Sequence, residues 1–239
     1  MRLLVVTPAF NEGPSIGAVV SRIIDTGYSC LVVDDGSTDT TRFSAREAGA
    51  TVLRMPFNSG VGGALRAGFV YAVRNGFDAI AQVDADGQHP SECIGDLIEA
   101  AQQNHADMVI GSRFFQDNKP SFLVGKTRRF AMRVLANRAS ASTGTRITDA
   151  TSGFRLIRGQ LLDELSKHLP AYYLGDTFEA LVAAGQAGYR VVEVPVTMSE
   201  RRFGVSSASS QQAAKWTLRA LLTAGIRSYP RLAPKQLSQ

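Results

Sequence analysis

Four polar clusters, each acidic or glycine-rich, recur down the chain, and each directly follows a short apolar run: LLVVTPAFNE, CLVVDDGSTD, TVLRMPFNSGVGG and AIAQVDADGQH. Short apolar runs closed by turn residues read as buried strands. Strands are predicted at about 2–7, 30–34, 51–55, 78–84 and 107–111, with helices beginning near Ser15, Thr38, Ser59 and Pro90. Ser15, and Pro90 with Ser91 and Glu92, supply helix-start chemistry. Strands alternating with helices imply an α/β fold, a mostly parallel sheet covered by helices on both faces. Ligands of such a sheet bind beyond the carboxyl ends of its strands, so the four clusters are expected on one rim.

Beyond Gly111 the rhythm changes. A basic helix is predicted over 122–140, followed by the turn-rich TGTRITDATSG, a strand at FRLIR, a helix from Asp176 to Ala187 and a strand at YRVVEVPVTM. The polar loop SERRFGVSSASS leads to a final helix near 210–228 and a tail, RLAPKQLSQ, expected to be disordered. One domain over 1–229 is expected, in two halves (1–112 and 113–210) followed by a C-terminal helix (211–229), before the tail at 230–239.

No run approaches 18 consecutive apolar residues, so neither a transmembrane helix nor a signal peptide is expected. Cys30 and Cys93 form no metal or disulfide pattern and read as buried thiols of a reducing compartment. The net charge of +5 permits an anionic partner. Nucleic acid is disfavoured, because the aromatics do not interleave with the basic positions as a stacking platform requires.

Strand alternation would put Asp84 and Asp86 of VDADGQH on one side of the chain and Ala85 on the other. Two carboxylates so placed suit Mg²⁺ or Mn²⁺ shared with substrate phosphate oxygens, with Gln88 as a further oxygen ligand and His89 behind. The competing reading is a cluster of capping aspartates before Pro90. Asp34 and Asp35, closing a neighbouring strand, favour function: a carboxylate there can accept from a nucleobase N–H or ribose hydroxyls, with PAFNE walling the base. Asn58 to Gly63 resembles a phosphate cradle without the Lys-Ser/Thr of a P-loop, and close packing at a helix start is its other reading.

Taken in series, PAFNE, VVDDGSTDxT, NxGxGGAxRxGF, VDADGQHxP, GSRF, DxxSGFR and RxxGxSS resemble a family 2 glycosyltransferase, nearest the dolichyl/polyprenyl-phosphate mannose synthase branch, over about residues 3–210. The resemblance implies a nucleotide-sugar-binding fold of GT-A type, a divalent metal and inversion at the anomeric carbon. It implies Asp34 and Asp35 at the nucleoside, Asp84, Asp86 and Gln88 at the metal and diphosphate, and Arg201 and Ser206 closing over the donor. Pro8, Ala9, Asn11, Glu12, Gly63 and Ala85 complete the expected donor pocket. Asp86, Asp149 and Arg201 are the expected catalytic residues.

For the acceptor, Lys126, Arg129 and Arg133 share one helical face beside Phe122, Phe130 and Val134, a pattern that fits a lipid phosphate or simply a solvated basic face. Arg113 of GSRF adds a cation. Asp149 is a general base if the acceptor is a hydroxyl, and an orienting group if the acceptor is a phosphate that arrives already ionised. The leading expectation is hexose transfer from a nucleotide diphosphate sugar to polyprenyl phosphate, at the cytoplasmic face of a membrane and possibly with an integral-membrane partner. The alternatives are a saccharide hydroxyl acceptor in envelope polysaccharide synthesis, nucleotidyl transfer, and a catalytically silent scaffold.

Overall fold

The computed structural model describes residues 1–115, 126–169, 176–198 and 231–236, with the backbone alone at 126–129 and 176. Seven strands form one sheet: β1 (Leu3–Ala9), β2 (Ser29–Asp34), β3 (Thr51–Arg54), β4 (Ala79–Gln82), β5 (Met108–Ser112), β6 (Arg155–Arg158) and β7 (Val191–Pro195), in the order β3-β2-β1-β4-β6-β5-β7. Six run parallel; β6 lies antiparallel between β4 and β5. The helices are α1 (Gly13–Asp25), α2 (Thr41–Glu47), α3 (Val61–Arg74), α4 (Ile94–Gln103), α5 (Lys126–Thr143), α6 (Gln160–His168) and α7 (Asp176–Gln186).

Both sheet faces are buried, which is why the strands read as continuous apolar runs. Leu4 and Val6 of β1 point into one core with Phe69 of α3 and Leu165 of α6. Leu3 and Val5 point into the other, with Ile16 and Val20 of α1 and Leu97 of α4. Each such aliphatic side chain contributes roughly 1.5–3 kcal/mol by leaving water. Helix α3 approaches the sheet so closely that a Cβ on Gly68 would stand 2.5 Å from Val6 Cγ1.

Several local expectations change. β4 stops at Gln82, because its ladder with β1 and β6 ends where β6 begins, at Arg155. Asp84 and Asp86 therefore lie in the following turn, and strand alternation does not govern where they point. Helix α1 starts at Gly13 with Pro14 in its first turn, so Ser15 is inside the helix and its hydroxyl donates to the Glu12 carbonyl and carboxylate. Helix α2 starts at Thr41 and α3 at Val61, and Cys93, only partly buried, closes the 3₁₀ turn Ser91–Cys93 before α4.

Helix α6 was not anticipated at all. Leu161, Leu162 and Leu165 are its buried stripe, but nine residues starting directly after a strand give few turns for a period to register. The tail also departs from expectation. Residues 231–236 are strapped down by Ala233 N–H on Glu164 Oε2 (2.8 Å), Tyr189 Oη–H on the Ala233 carbonyl (3.1 Å) and a Lys235–Asp107 ion pair (2.8 Å). The final helix near 210–228 lies outside the described residues.

Candidate active site

β1 and β2 end level with each other, Ala9 beside Asp34, while β4, on the other side of β1, ends at Gln82 beside Val6 and passes into its acidic turn there. Because β6 runs the other way, its amino end reaches the same rim, Arg155 pairing with both Gln82 and Ile110. The loop 148–154 is thereby delivered beside the β4 turn and the end of β5.

On the donor side two loops interlock. Asn11, at φ 54°, accepts the Thr38 N–H on Oδ1 (3.0 Å) and donates its own N–H to Ser37 Oγ (3.0 Å), while Glu12 N–H donates to Thr41 Oγ1 (2.8 Å). Asp39 closes the lock by accepting from Gly13 N–H and from the Thr41 N–H and hydroxyl. Burial alone would raise the Asp39 carboxyl, but these hydrogen bonds outweigh it and hold the pKa below 3.8. Pro8 is half-buried and Ala9 buried at the end of β1, while Phe10 stands 44% exposed beyond them.

Asp34 and Asp35 differ sharply. Asp35 binds the start of α3, its Oδ1 accepting from Ser59 N–H (2.8 Å) and Ser59 Oγ–H (2.7 Å), its Oδ2 from Gly60 N–H (2.8 Å). Asp34 Oδ1 accepts the Ser37 N–H (2.9 Å), but its Oδ2 is buried with no hydrogen-bond partner among the described residues. A buried carboxylate oxygen left this way is costly unless a ligand completes it. Gly63 lies within α3, where a Cβ would collide with Ser59 Oγ at 2.4 Å.

The β4 turn carries Asp84 and Asp86 half-exposed on either side of buried Ala85. His89, 5% exposed, takes the place of a ladder partner: its Nδ1 accepts the Asp84 N–H (2.9 Å), which fixes the proton on Nε2, and Nε2 lies 3.6 Å from Asp84 Oδ2. Asp86 Oδ1 accepts the Gln88 N–H (3.0 Å), and Gly87 supplies the positive φ of 76° that the turn requires. Across from Asp84 stands Gly153, where a Cβ would sit 2.9 Å from Asp84 Oδ2. Oxygen donors at the rim, kept accessible by a glycine opposite, fit Mg²⁺ or Mn²⁺. Among the described residues no three His, Cys, Asp or Glu form a metal cluster.

On the acceptor side Asp149, 1% exposed, is locked to Arg113 by a fork: Nε donates to Oδ2 (2.6 Å) and Nη2 to Oδ1 (2.8 Å). Burial opposes the charge on Arg113, but Asp149 and, behind it, Asp84 outweigh that and raise its pKa. Arg155 is buried and holds the loop from beneath, donating to the carbonyls of Ser152 (2.6 Å), Ala150 (2.9 Å) and Thr177 (2.5 Å). Glu179 of α7 is buried. Phe130 and Arg133 are exposed on α5, one turn apart. The side chains of Lys126 and Arg129, and all of Arg201 and Ser206, lie outside the described residues.

Sequence reasoning overlooked Glu193 of β7, which accepts Asp149 N–H on Oε1 and Thr148 N–H and Oγ1–H on Oε2, each at 2.8 Å. Its signal was a lone carboxylate among the valines of VVEVP, on the buried side with Val191. Desolvation raises its pKa against the lowering effect of these donors.

Similarity to known proteins agrees with this geometry. The polyprenol monophosphomannose synthase of Mycolicibacterium smegmatis is 30% identical over 92% of this chain and 89% of its own. The undecaprenyl-phosphate mannosyltransferase of Micrococcus luteus is 32% identical over 87% and 88%. In fold, a crystal structure of glucosyl-3-phosphoglycerate synthase from Mycobacterium tuberculosis, in complex with Mn²⁺, UDP-glucose and glycerol 3-phosphate, superposes with a TM-score of 0.70 at 21% identity, covering 95% of this chain and 79% of that one. The profile for glycosyl transferase family 2 matches residues 4–166, the stretch that builds the rim from PAFNE to SGFR. An α/β sheet with its acidic clusters gathered at the carboxyl ends, and that match over most of its length, make this chain a glycosyltransferase of family 2.

Proposed function

We propose that the chain transfers a hexose from a nucleotide diphosphate sugar to polyprenyl phosphate, inverting the anomeric carbon, at the cytoplasmic face of a membrane. The observation that carries the acceptor class is the Arg113–Asp149 fork. A hydroxyl acceptor must lose a proton as the new bond forms. Asp149, a base only if the acceptor is a hydroxyl, is buried under Arg113 and also accepts the Thr151 hydroxyl (3.1 Å), so it is engaged as an orienting group. A phosphomonoester with a second pKa of about 6 needs no base at neutral pH. Its oxygen attacks the anomeric carbon, the bond to the diphosphate breaks, and the electron pair leaves with the nucleoside diphosphate. No proton moves.

The residues divide the work accordingly. Asp34 Oδ2 is the acceptor atom for a nucleobase or ribose donor, and the Asn11–Ser37 lock shapes the wall beside it. Asp84, Asp86 and Gln88 would hold Mg²⁺ or Mn²⁺, which when bound offsets charge on the leaving diphosphate. Arg113 presents a pre-oriented cation to the phosphate acceptor. Arg133 with Phe130, joined by Lys126 and Arg129 of the same helix, is proposed to meet the lipid surface, alone or with an integral-membrane partner. No helix among the described residues is long and apolar enough to cross a membrane.

The test pairs nucleotide sugars with a short-chain polyprenyl phosphate and with the corresponding free prenol. Nucleoside diphosphate release with the phosphate alone supports the reading. Turnover of the prenol or a saccharide hydroxyl transfers the assignment to that alternative, and pyrophosphate release would point to nucleotidyl transfer.

A further inference from the structure

We infer that Glu193 is a positioning residue for Arg113: from the edge strand, through Thr148, Ser112 and Asp149, it fixes both loops that aim this guanidinium. The connection is continuous. Thr148 Oγ1 donates to Glu193 Oε2 (2.8 Å), so in the Ser112–Thr148 hydroxyl contact (2.7 Å) Ser112 is the donor. Ser112 Oγ in turn accepts the Phe114 N–H (3.2 Å), fixing the turn that launches Arg113 from β5. On the other branch Glu193 Oε1 accepts the Asp149 N–H (2.8 Å), holding the backbone of the residue that grips the guanidinium.

Each donor needs a fully accepting partner, and a carboxylate supplies what an amide does not. Glu193 is 9% exposed and takes three hydrogen bonds, all from residues 148 and 149. Water is therefore a poor substitute, and loss of the carboxylate leaves buried donors unmet. Of the Arg113 nitrogens, Nε and Nη2 are taken by Asp149, with Nη2 also donating to Thr151 Oγ1 (3.2 Å), while Nη1 makes no hydrogen bond among the described residues. That nitrogen's direction is set by the fork, and the fork by Glu193.

The functional consequence rests on the phosphate-acceptor reading, so the test has one arm that needs no acceptor. In the first arm the Nε–H resonance of Arg113, identified by its loss in R113K, is followed in a ¹⁵N-labelled protein. E193Q should shift it or broaden it away, with the fold retained by circular dichroism. An unmoved resonance overturns the inference. The second arm is a double-mutant cycle in turnover with polyprenyl phosphate: E193Q should lower kcat/KM at least tenfold in the native background and less than twofold in R113K. Equal losses in both backgrounds, or none in either, overturn it. If E193Q does not fold, T148V removes the same hydroxyl link without a charge change and should act in the same direction in both arms. A wild-type protein inactive on polyprenyl phosphate, yet with an Arg113 signal that responds to E193Q, would reject the acceptor reading and leave the positioning role standing.

Discussion

Arg113 Nε and Nη2 both end on the carboxylate of Asp149, at 2.6 and 2.8 Å, with Asp149 buried and Arg113 reaching the rim. The pair couples the end of β5 to the loop before β6, elements far apart in the chain. It also makes Asp149, a base only for a hydroxyl acceptor, the anchor of a cation.

D149N should therefore lower activity at least tenfold, because an amide cannot accept both guanidinium donors. Added small bases should not restore it, and the acid limb of the pH profile should stay near the phosphate second pKa of about 6. Rescue by a base such as imidazole, with loss of that limb, would make Asp149 a general base and favour a hydroxyl acceptor.

D34N should leave the melting temperature of the unliganded protein nearly unchanged, since an amide oxygen still accepts the Ser37 N–H and a buried charge is removed. The stabilisation produced by nucleoside diphosphate should shrink markedly, as ligand-linked stability follows affinity. Thermal shift titrations separate this from D35A. That variant should lose about 1–3 kcal/mol of stability on its own, because it orphans the Ser59 N–H and hydroxyl, while the Gly60 N–H keeps Asn58 Oδ1 (3.0 Å).

D86N should reduce turnover by orders of magnitude, and excess EDTA should do the same to the native enzyme. Its unliganded stability should change little, because the Gln88 N–H finds an amide oxygen as readily as a carboxylate. Full activity in EDTA, measured by nucleoside diphosphate release, would remove the metal from the scheme.

The Asp39 pKa lies below its ordinary value, so the stability it contributes is fully present above about pH 4 and is lost as pH falls through the lower folded value. D39N should flatten the acid side of the melting-temperature profile in that window and leave the slope between pH 6 and 8 untouched.

Liposomes containing anionic lipid should co-sediment the protein at low salt and release it as ionic strength rises, each basic residue near the surface contributing about 1 kcal/mol. R133E should weaken binding more than F130A weakens its salt dependence. Absence of binding even at low salt would require a separate membrane partner or a soluble acceptor.

What the sequence by itself determined is the set of parallel βα units and the chemistry at their ends. Apolar runs such as LLVV and LVV, buried on both faces, can only be interior strands, and polar residues directly after them must emerge at one rim. The tertiary structure alone decided how those residues are used. Asp34 and Asp35 are adjacent and identical in type, yet one holds the start of α3 and the other keeps a buried oxygen open, because only Asp35 meets the Ser59 and Gly60 amides. Asp84 and Asp86 are set by a turn and by His89, since β4 runs out of partners two residues before Asp84. The place of β6, antiparallel between β4 and β5, follows from long-range pairing that no local period encodes. It is that strand which brings Gly153 to Asp84 and Asp149 to Arg113, and Glu193, far along the chain on β7, is then close enough to hold them.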